Sequence, residues 1–166
     1  MMNRLSEAEQ VASQALSIIG DAVTNFPDIK SLRHEQAASY FKVGEIVELQ
    51  GRPTEAETNY HAAIRIYDEL KQKSPTEWLY AQEDAFMHGA LAGHLERMGR
   101  HEEAEAAFRR TIAILEKAAA DFPDKTTFPM RLEGVRLDLA DVLSNQGKDA
   151  DAKALRETAR STSRTK

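Results

Sequence analysis

The chain has 166 residues, a formal net charge of −5 and no cysteine. This length is typical of one domain with a buried core, the acidic balance disfavours a nucleic-acid binder, and the lack of thiols excludes disulfides and thiolate chemistry. The sequence has no apolar run of the ~18 residues that span a bilayer, and its first residues lack the apolar core of a secretory signal. We therefore expect a cytoplasmic protein.

Seven segments carry apolar residues at helical spacing, and glycine or proline separates them. The first segment ends before Pro27, because proline lacks an amide donor and disfavours helical geometry in the residue before it. Ser6 and Glu9 have the spacing of an N-terminal capping box, and Thr54 and Glu57 repeat that spacing. The predicted helices are residues 5–25, 30–50, 53–73, 76–98, 101–121, 126–146 and 148–162.

Gly44 lies in the middle of the second predicted helix, where glycine costs roughly 1 kcal/mol relative to alanine. A residue this unfavourable predicts that a neighbouring helix needs the room. Tyr60, on the third helix, is the aromatic residue that we expect to fill the space beside small residues.

An internal period organises the whole chain. Gly51, Gly99 and Gly147 are separated by 48 residues each time. The same step relates an alanine near the start of alternate helices and a proline just after their ends: Ala8, Ala56, Ala104 and Ala152, and Pro27, Pro75 and Pro123. A period this regular predicts an array of helical repeats.

The pattern within each repeat resembles the tetratricopeptide repeat (TPR): small and apolar residues in one helix, a glycine turn, then an alanine and an aromatic residue in the next helix. The matching positions are Tyr40, Val43, Gly44, Gly51, Ala56, Tyr60 and Ala63; Leu91, Ala92, Leu95, Gly99, Ala104 and Phe108; and Leu139, Ala140, Leu143, Gly147, Ala152 and Ala159. The repeat is longer than the ordinary unit of about 34 residues and resembles the long bacterial variant found in TPR tails of serine/threonine kinases.

The resemblance implies an all-α fold, a right-handed α-solenoid of seven antiparallel helices in three and a half TPR-like repeats. We expect one domain over 1–166, divided into a half repeat 5–27, repeats 28–75, 76–123 and 124–160, and a polar tail 161–166. Arg156 stands where the earlier repeats have an aromatic residue, so the last helix is predicted to be a polar C-terminal cap. Val11 and Ile18, seven residues apart on the first helix, are predicted to be exposed.

In this family the first helix of each repeat lines a concave face, which implies a partner-binding groove. The predicted groove residues are Phe41, Glu45, Glu48, Leu49, Phe86, Gly89, Gly93, Glu96, Arg97, Leu137, Asp141, Ser144 and Asn145. They form an acidic set with apolar patches. Related domains that grip a terminal carboxylate use Lys and Asn at the places that are occupied here by Phe41, Glu45, Gly89, Gly93, Leu137 and Asp141. Charge complementarity therefore favours a basic or mixed basic and apolar peptide.

The sequence favours no catalytic, cofactor or metal site. The five histidines contain no pair at i, i+4 and no His-Glu-x-x-His motif, and we expect them on the surface or between helices: His34, His61, His88, His94 and His101. The acidic residues of the groove could form a paired-carboxylate site, but a solvated helix face or a groove for a basic ligand explains them more simply. We expect a protein that is not an enzyme.

The function predicted from the sequence is a scaffold or adaptor that binds a peptide or a partner helix in the acidic groove. One alternative is self-assembly, in which the open N-terminal helix with Val11 and Ile18 forms a homodimer or meets a preceding repeat. The other alternative is a regulatory or spacer part of a larger, kinase-like enzyme. We expect no nucleic acid and no membrane among the partners.

Overall fold

The computed structural model describes residues 2–163 of the chain, with side chains for residues 4–159. Within these residues the protein is all-α, with seven helices and no strand, and each helix lies close to its predicted bounds. The helices are α1 (Met2–Asn25), α2 (Lys30–Leu49), α3 (Pro53–Lys73), α4 (Trp78–Arg97), α5 (His101–Asp121), α6 (Thr127–Asn145) and α7 (Asp149–Ser163). Helix α7 extends to Ser163, and the side chains of the predicted polar tail 161–166 lie outside the described part. None of the helices in the described part is long and apolar enough to cross a membrane.

The predicted capping boxes are wrong. Helix α1 already includes Met2, so Ser6 and Glu9 lie inside it. Helix α3 begins at Pro53, and no side chain caps its start. Proline at the first helical position has no amide to satisfy and has its φ fixed near the helical value, so the helix starts there and Thr54 falls within the first turn.

Gly51, Gly99 and Gly147 end α2, α4 and α6 in the left-handed conformation, with φ of 76°, 71° and 74°. After α2 the amide of Gly51 donates to the carbonyl of Glu48, and the amide of Arg52 donates to the carbonyl of Val47. This pair of bonds is the Schellman motif, in which glycine adopts positive φ without a Cβ penalty. The predicted glycine turns are therefore present at the ends of all three helices.

The residues on either side of Gly51 connect the turn after α2 to α1. Gln50 donates its side-chain amide to the carbonyl of Leu5 at 3.3 Å, and Arg52 donates to the Glu9 carboxylate at 2.6 Å. Arg52 also pairs with Glu55 on its own helix. The turn after α2 is therefore fixed to α1 by one polar and one ionic contact.

The turn after α6 repeats this arrangement 96 residues later. Gln146 donates to the carbonyl of His101 at 2.9 Å, and Lys148 donates to the Glu105 carboxylate at 2.7 Å. The internal period of the sequence thus extends to side-chain contacts between a turn and the helix that precedes it by one repeat.

Contacts between residues divide the chain into two compact units, Met1–Tyr80 and Ala81–Lys166. In the first unit α2 packs against both α1 and α3, and in the second α6 packs against both α5 and α7. Each unit has its own buried core. The core of the first includes Ala37, Val47, Ala56, Tyr60, Ala63, Tyr67 and Leu70, and the core of the second includes Ala92, Leu95, Phe108, Leu115, Phe128, Leu139 and Leu143.

The role predicted for Gly44 is confirmed. A Cβ at this position would lie 2.8 Å from Cε1 of Tyr60, which is closer than real Cβ contacts allow. Tyr60 is buried, and its hydroxyl donates to the Glu48 carboxylate at 2.7 Å. The glycine therefore lets the tyrosine ring of α3 lie directly against the backbone of α2.

Candidate functional site

A cavity of about 310 Å³ opens in the second unit among α4, α5 and α6. Its walls are mainly apolar, with one cationic and one carboxylate side chain. The lining residues are Ala85, Phe86, Gly89, Ala90, Phe108, Leu115, Arg131, Gly134, Val135 and Asp138.

Two glycines keep this space open. A Cβ at Gly134 would meet nothing within 4 Å, and a Cβ at Gly89 would make only an ordinary contact of 3.7 Å with Cγ2 of Thr111. Neither glycine is needed for close approach of a neighbouring helix. Their contribution to the cavity is therefore the volume that a side chain would otherwise fill.

Charged side chains occupy one part of the lining. The Arg131 guanidinium carbon lies 5.2 Å from the centre of the Phe86 ring, a cation–π arrangement. Partial desolvation raises the pKa of Asp138, and the negative charges of Asp141 and Glu96 raise it further. Asp138 is thus the one carboxylate of the lining, it is exposed, and it experiences the charges of two acidic residues that do not line the cavity.

Four of the residues predicted for the groove belong to this site. Phe86 and Gly89 line the cavity, and Glu96 and Asp141 act on the charge of Asp138. Asp141 also accepts a hydrogen bond at 2.8 Å from Arg156 of α7.

The remaining predicted residues of the second unit lie outside the cavity lining. Gly93 is beside Arg97, since a Cβ at Gly93 would be 3.3 Å from Nη1 of that arginine. Leu137 and Asn145 are exposed on α6. Ser144, also on α6, accepts a bond of 3.2 Å from Arg156.

In the first unit the predicted groove residues make local contacts. The Phe41 ring packs against Tyr60 with centroids 5.5 Å apart, and Glu48 accepts the hydroxyl bond of that tyrosine. Glu45 pairs with Lys42 at 2.5 Å on the same helix, and Leu49 is 71% exposed. That all the predicted residues share one groove stays a prediction.

Sequence reasoning missed the α6 side of the cavity, namely Arg131, Gly134, Val135 and Asp138. The 48-residue step relates Gly134 to Phe86, so the available signal is a glycine at a position that bears an aromatic ring one repeat earlier. The role of Asp138 leaves no such signal, because its period-related residues are Lys42 and Ala90.

The histidines include buried members, as expected for residues between helices. His94 is fully buried, and His88 is buried with its Nε2 3.6 Å from Oδ1 of Asp84 on the same helix. His61 is exposed and lies 3.8 Å from Glu57. None of these side chains lines the cavity described above.

Comparison with solved structures defines the class of fold. BtubC (BKLC) from P. vanneervenii superposes with a TM-score of 0.70 at 16% sequence identity, over 95% of this chain and 56% of BtubC. This chain therefore spans little more than half the length of that protein. Two structures of a kinesin light chain-like protein of Podosopora anserina with nearly identical TPR-like repeats match 96% of this chain at 14% identity, with TM-scores of 0.30 and 0.29.

No protein-family model matches the sequence, and no curated protein matches it. The all-α helical-repeat fold predicted from the sequence is confirmed by the seven described helices, and BtubC shares this fold. The resemblance to kinase tails stays a prediction.

Proposed function

We propose that this chain is a non-catalytic protein-interaction module whose second-unit cavity binds a partner peptide or helix through an apolar side chain followed by a basic one. The observation that carries the proposal is the juxtaposition, in one cavity, of apolar walls and the Asp138 carboxylate, whose pKa is raised in part by the negative charges of Asp141 and Glu96. The fold is compatible with this role, and the choice of occupant comes from the chemistry of the cavity.

The size and lining of the cavity favour an apolar side chain as the anchor. At 310 Å³ the cavity lies at the lower end of the roughly 300–1,000 Å³ that is typical of ligand pockets, which is enough for a large side chain. Phe108, Leu115 and Val135 contribute apolar surface that an anchor would remove from water. Such burial is worth about 25 cal/mol per Å² of apolar area.

The charges favour a basic neighbour for that anchor. Asp138 experiences the negative charges of Asp141 and Glu96, so a cation beside it would relieve repulsion that the free protein bears. Arg131 already occupies the face of Phe86. We therefore expect the basic group of the partner at Asp138 and not over the phenylalanine ring.

The experiment uses an array of synthetic peptides that carry Leu, Met or Phe, with Arg or Lys one to four residues away. A matched array carries Glu in place of the basic residue. We expect binding to the basic array, and we would titrate the strongest binder against the full chain and its variants by fluorescence anisotropy.

Two glycine variants give a matched comparison. Gly134→Leu places a side chain in the cavity without a clash at Cβ, and Gly20→Leu makes the same change on α1, where a Cβ also meets nothing within 4 Å. We expect Gly134→Leu to weaken binding at least about tenfold, since it removes the burial of an anchor side chain. Gly20→Leu should bind as the unmodified chain does.

Asp138→Asn tests the charge contribution separately. This change should weaken the binding of the basic peptides several-fold, and binding should still depend on the apolar anchor side chain. Equal binding of both arrays would remove the basic group from the proposal. Binding that survives in Gly134→Leu, or no binding to either array, would refute the cavity as the site.

A further inference from the structure

Both charged side chains of the cavity lining belong to α6. Arg131 and Asp138 are seven residues apart, so they lie on the same face of the helix, about 10 Å from each other along its axis. Gly134 lies between them on this face, and a Cβ there would meet nothing within 4 Å. Along the cavity, α6 therefore presents a cation, open space and a carboxylate in that order.

Arg131 has no negative partner among the residues that the structure describes. Its guanidinium contacts the Phe86 ring and makes no ion pair or hydrogen bond with any described side chain. Arg136 provides the contrast, because it is half-buried on the same helix outside the lining, and its guanidinium donates to the Glu116 carboxylate at 2.8 Å. Of these two arginines, the one that lines the cavity keeps its N–H donors available to a ligand.

Asp138 likewise lacks a positive partner within the described part of the chain. The two charges that act on it, those of Asp141 and Glu96, are both negative. Asp141 by contrast accepts a hydrogen bond at 2.8 Å from Arg156, although it lies outside the lining. Asp138 is also exposed, which leaves its carboxylate accessible to a cation of a partner.

We propose that the partner carries charges of both signs, with an acidic residue that binds Arg131 and a basic residue that binds Asp138 on opposite sides of the apolar anchor. The proposal rests on the function proposed above and adds Arg131 as the residue that selects for the acidic group. A guanidinium presents its N–H donors in a planar fork that a carboxylate can accept in pairs. Because contact with the Phe86 ring already holds the guanidinium in the lining, little side-chain freedom is lost on binding.

The spacing along α6 fixes the spacing expected in a helical partner. Two helices side by side have the same rise per residue. An acidic residue, an anchor three residues later and a basic residue four residues after the anchor would therefore lie opposite Arg131, Gly134 and Asp138. An acidic residue toward the start of a helix and a basic residue toward its end also complement the helix dipole, which stabilises the helical form of the partner and lowers the cost of ordering it.

Three synthetic peptides with capped ends test the proposal. All three carry Leu as the anchor and Lys four residues after it, and they differ only in the residue three positions before the anchor, which is Glu, Ala or Lys. Fluorescence anisotropy with the full chain gives the three dissociation constants. We expect the Glu peptide to bind about threefold more tightly than the Ala peptide, because an ion pair that solvent reaches contributes modestly. The Lys peptide should bind at least about threefold more weakly than the Ala peptide, because like charges oppose association.

Variants of Arg131 separate recognition of the acidic residue from its effect on the helicity of the free peptide. In Arg131→Gln the Glu and Ala peptides should bind alike, and in Arg131→Glu the Lys peptide should bind more tightly than the Glu peptide. Arg136→Gln is the matched control, since it removes an arginine of the same helix that lies outside the lining. It should keep the ranking of the unmodified chain, and circular dichroism should show unchanged helicity in all three variants.

The outcomes distinguish this proposal from the one on which it rests. Equal binding of the Glu and Ala peptides, or a preference for Glu that persists in Arg131→Gln, would overturn the role of Arg131 and leave the cavity as a site for an apolar and a basic residue. No binding of any of the three peptides, or binding that Gly134→Leu does not weaken, would overturn both proposals.

Discussion

The two units use the same helix position in opposite ways. Phe41 of α2 packs its ring against Tyr60 of α3, with ring centroids 5.5 Å apart. The residue 48 positions later on α4 is Gly89, which lines the cavity beside Phe108, the counterpart of Tyr60. The position that an aromatic pair fills in the first unit is therefore open in the second. The presence or absence of this one side chain distinguishes a packed core from a candidate binding site.

The largest expected effect comes from exchanging this residue between the units. Phe41→Gly removes the ring contact and adds a helical glycine, so we expect a loss of about 2–3 kcal/mol in the free energy of unfolding. Gly89→Phe should instead fill the cavity with little loss of stability, because its Cβ meets only an ordinary contact. Urea denaturation measures both variants.

Phe41→Leu is the control for the first exchange, since it keeps an apolar side chain and should lose less than half as much free energy. Peptide titration is the second readout, and Gly89→Phe should abolish the binding proposed for the cavity. A Gly89→Phe variant that is as destabilised as Phe41→Gly would show that the cavity cannot accommodate the aromatic ring that the first unit holds at this position.

The frame of the fold is readable from the sequence because local rules decide it. Helix starts and ends follow Pro53, Pro27 and the three glycines at 48-residue steps, whose requirement for positive φ is a backbone property. Gly44 likewise indicates a close neighbour, because glycine in the middle of a helix lowers stability unless an adjacent helix needs the space. The capping-box predictions, which are wrong, affect only where the first turn of a helix is placed.

Only part of the cavity lining could be predicted from the sequence. The register of α4 identifies Phe86 and Gly89 as groove residues, but the opposite wall depends on which face α6 turns toward α4 and α5. That orientation results from the packing of three helices and is not encoded in any short motif. The interaction of Asp138 with Glu96 and Asp141 is a distance in space, which the spacing in sequence does not report.

A smaller effect distinguishes the tightly packed glycine from an open one. Gly44→Ala should lower the free energy of unfolding by about 1–2 kcal/mol, although alanine is the better helix former, because Tyr60 is buried and tied to Glu48 and cannot move away. Thermal or urea denaturation gives the difference directly.

Gly20→Ala is the matched control on α1. Its Cβ meets nothing within 4 Å, so this variant should gain about 0.5–1 kcal/mol from helix propensity alone. The double variant Gly44→Ala, Tyr60→Phe copies the Ala92 and Phe108 pair of the second unit and should recover part of the loss. If Gly44→Ala proves as stabilising as Gly20→Ala, the close approach of Tyr60 does not persist in solution.

The smallest expected effect concerns the ionic contacts that fix the two turns. Lys148, and more weakly Arg109, lower the pKa of Glu105, and burial opposes them. A carboxylate with a lowered pKa in the folded state contributes stability above its unfolded pKa, near 4.5, and loses it as the pH falls through the folded value. Glu105→Gln should therefore lose about 0.5–1 kcal/mol at pH 7, and the difference from the unmodified chain should shrink at acidic pH as the carboxylate becomes protonated.

The matching contact of the first unit sharpens this test. Arg52 and Gln50 lower the pKa of Glu9, which occupies the same place in its repeat as Glu105. The guanidinium of Arg52 pairs with Glu55 as well as with Glu9, whereas Lys148 has a single ammonium. Lys148→Arg should therefore make the second turn resemble the first, and the contribution of this contact to the free energy of unfolding should depend less on salt concentration. Glu102→Gln, an exposed neighbour on α5, should change stability little at either pH. A pH-independent loss in Glu105→Gln would mean that the side chain acts through packing, and the charge of the turn contact would then have no part in the stability of the repeat.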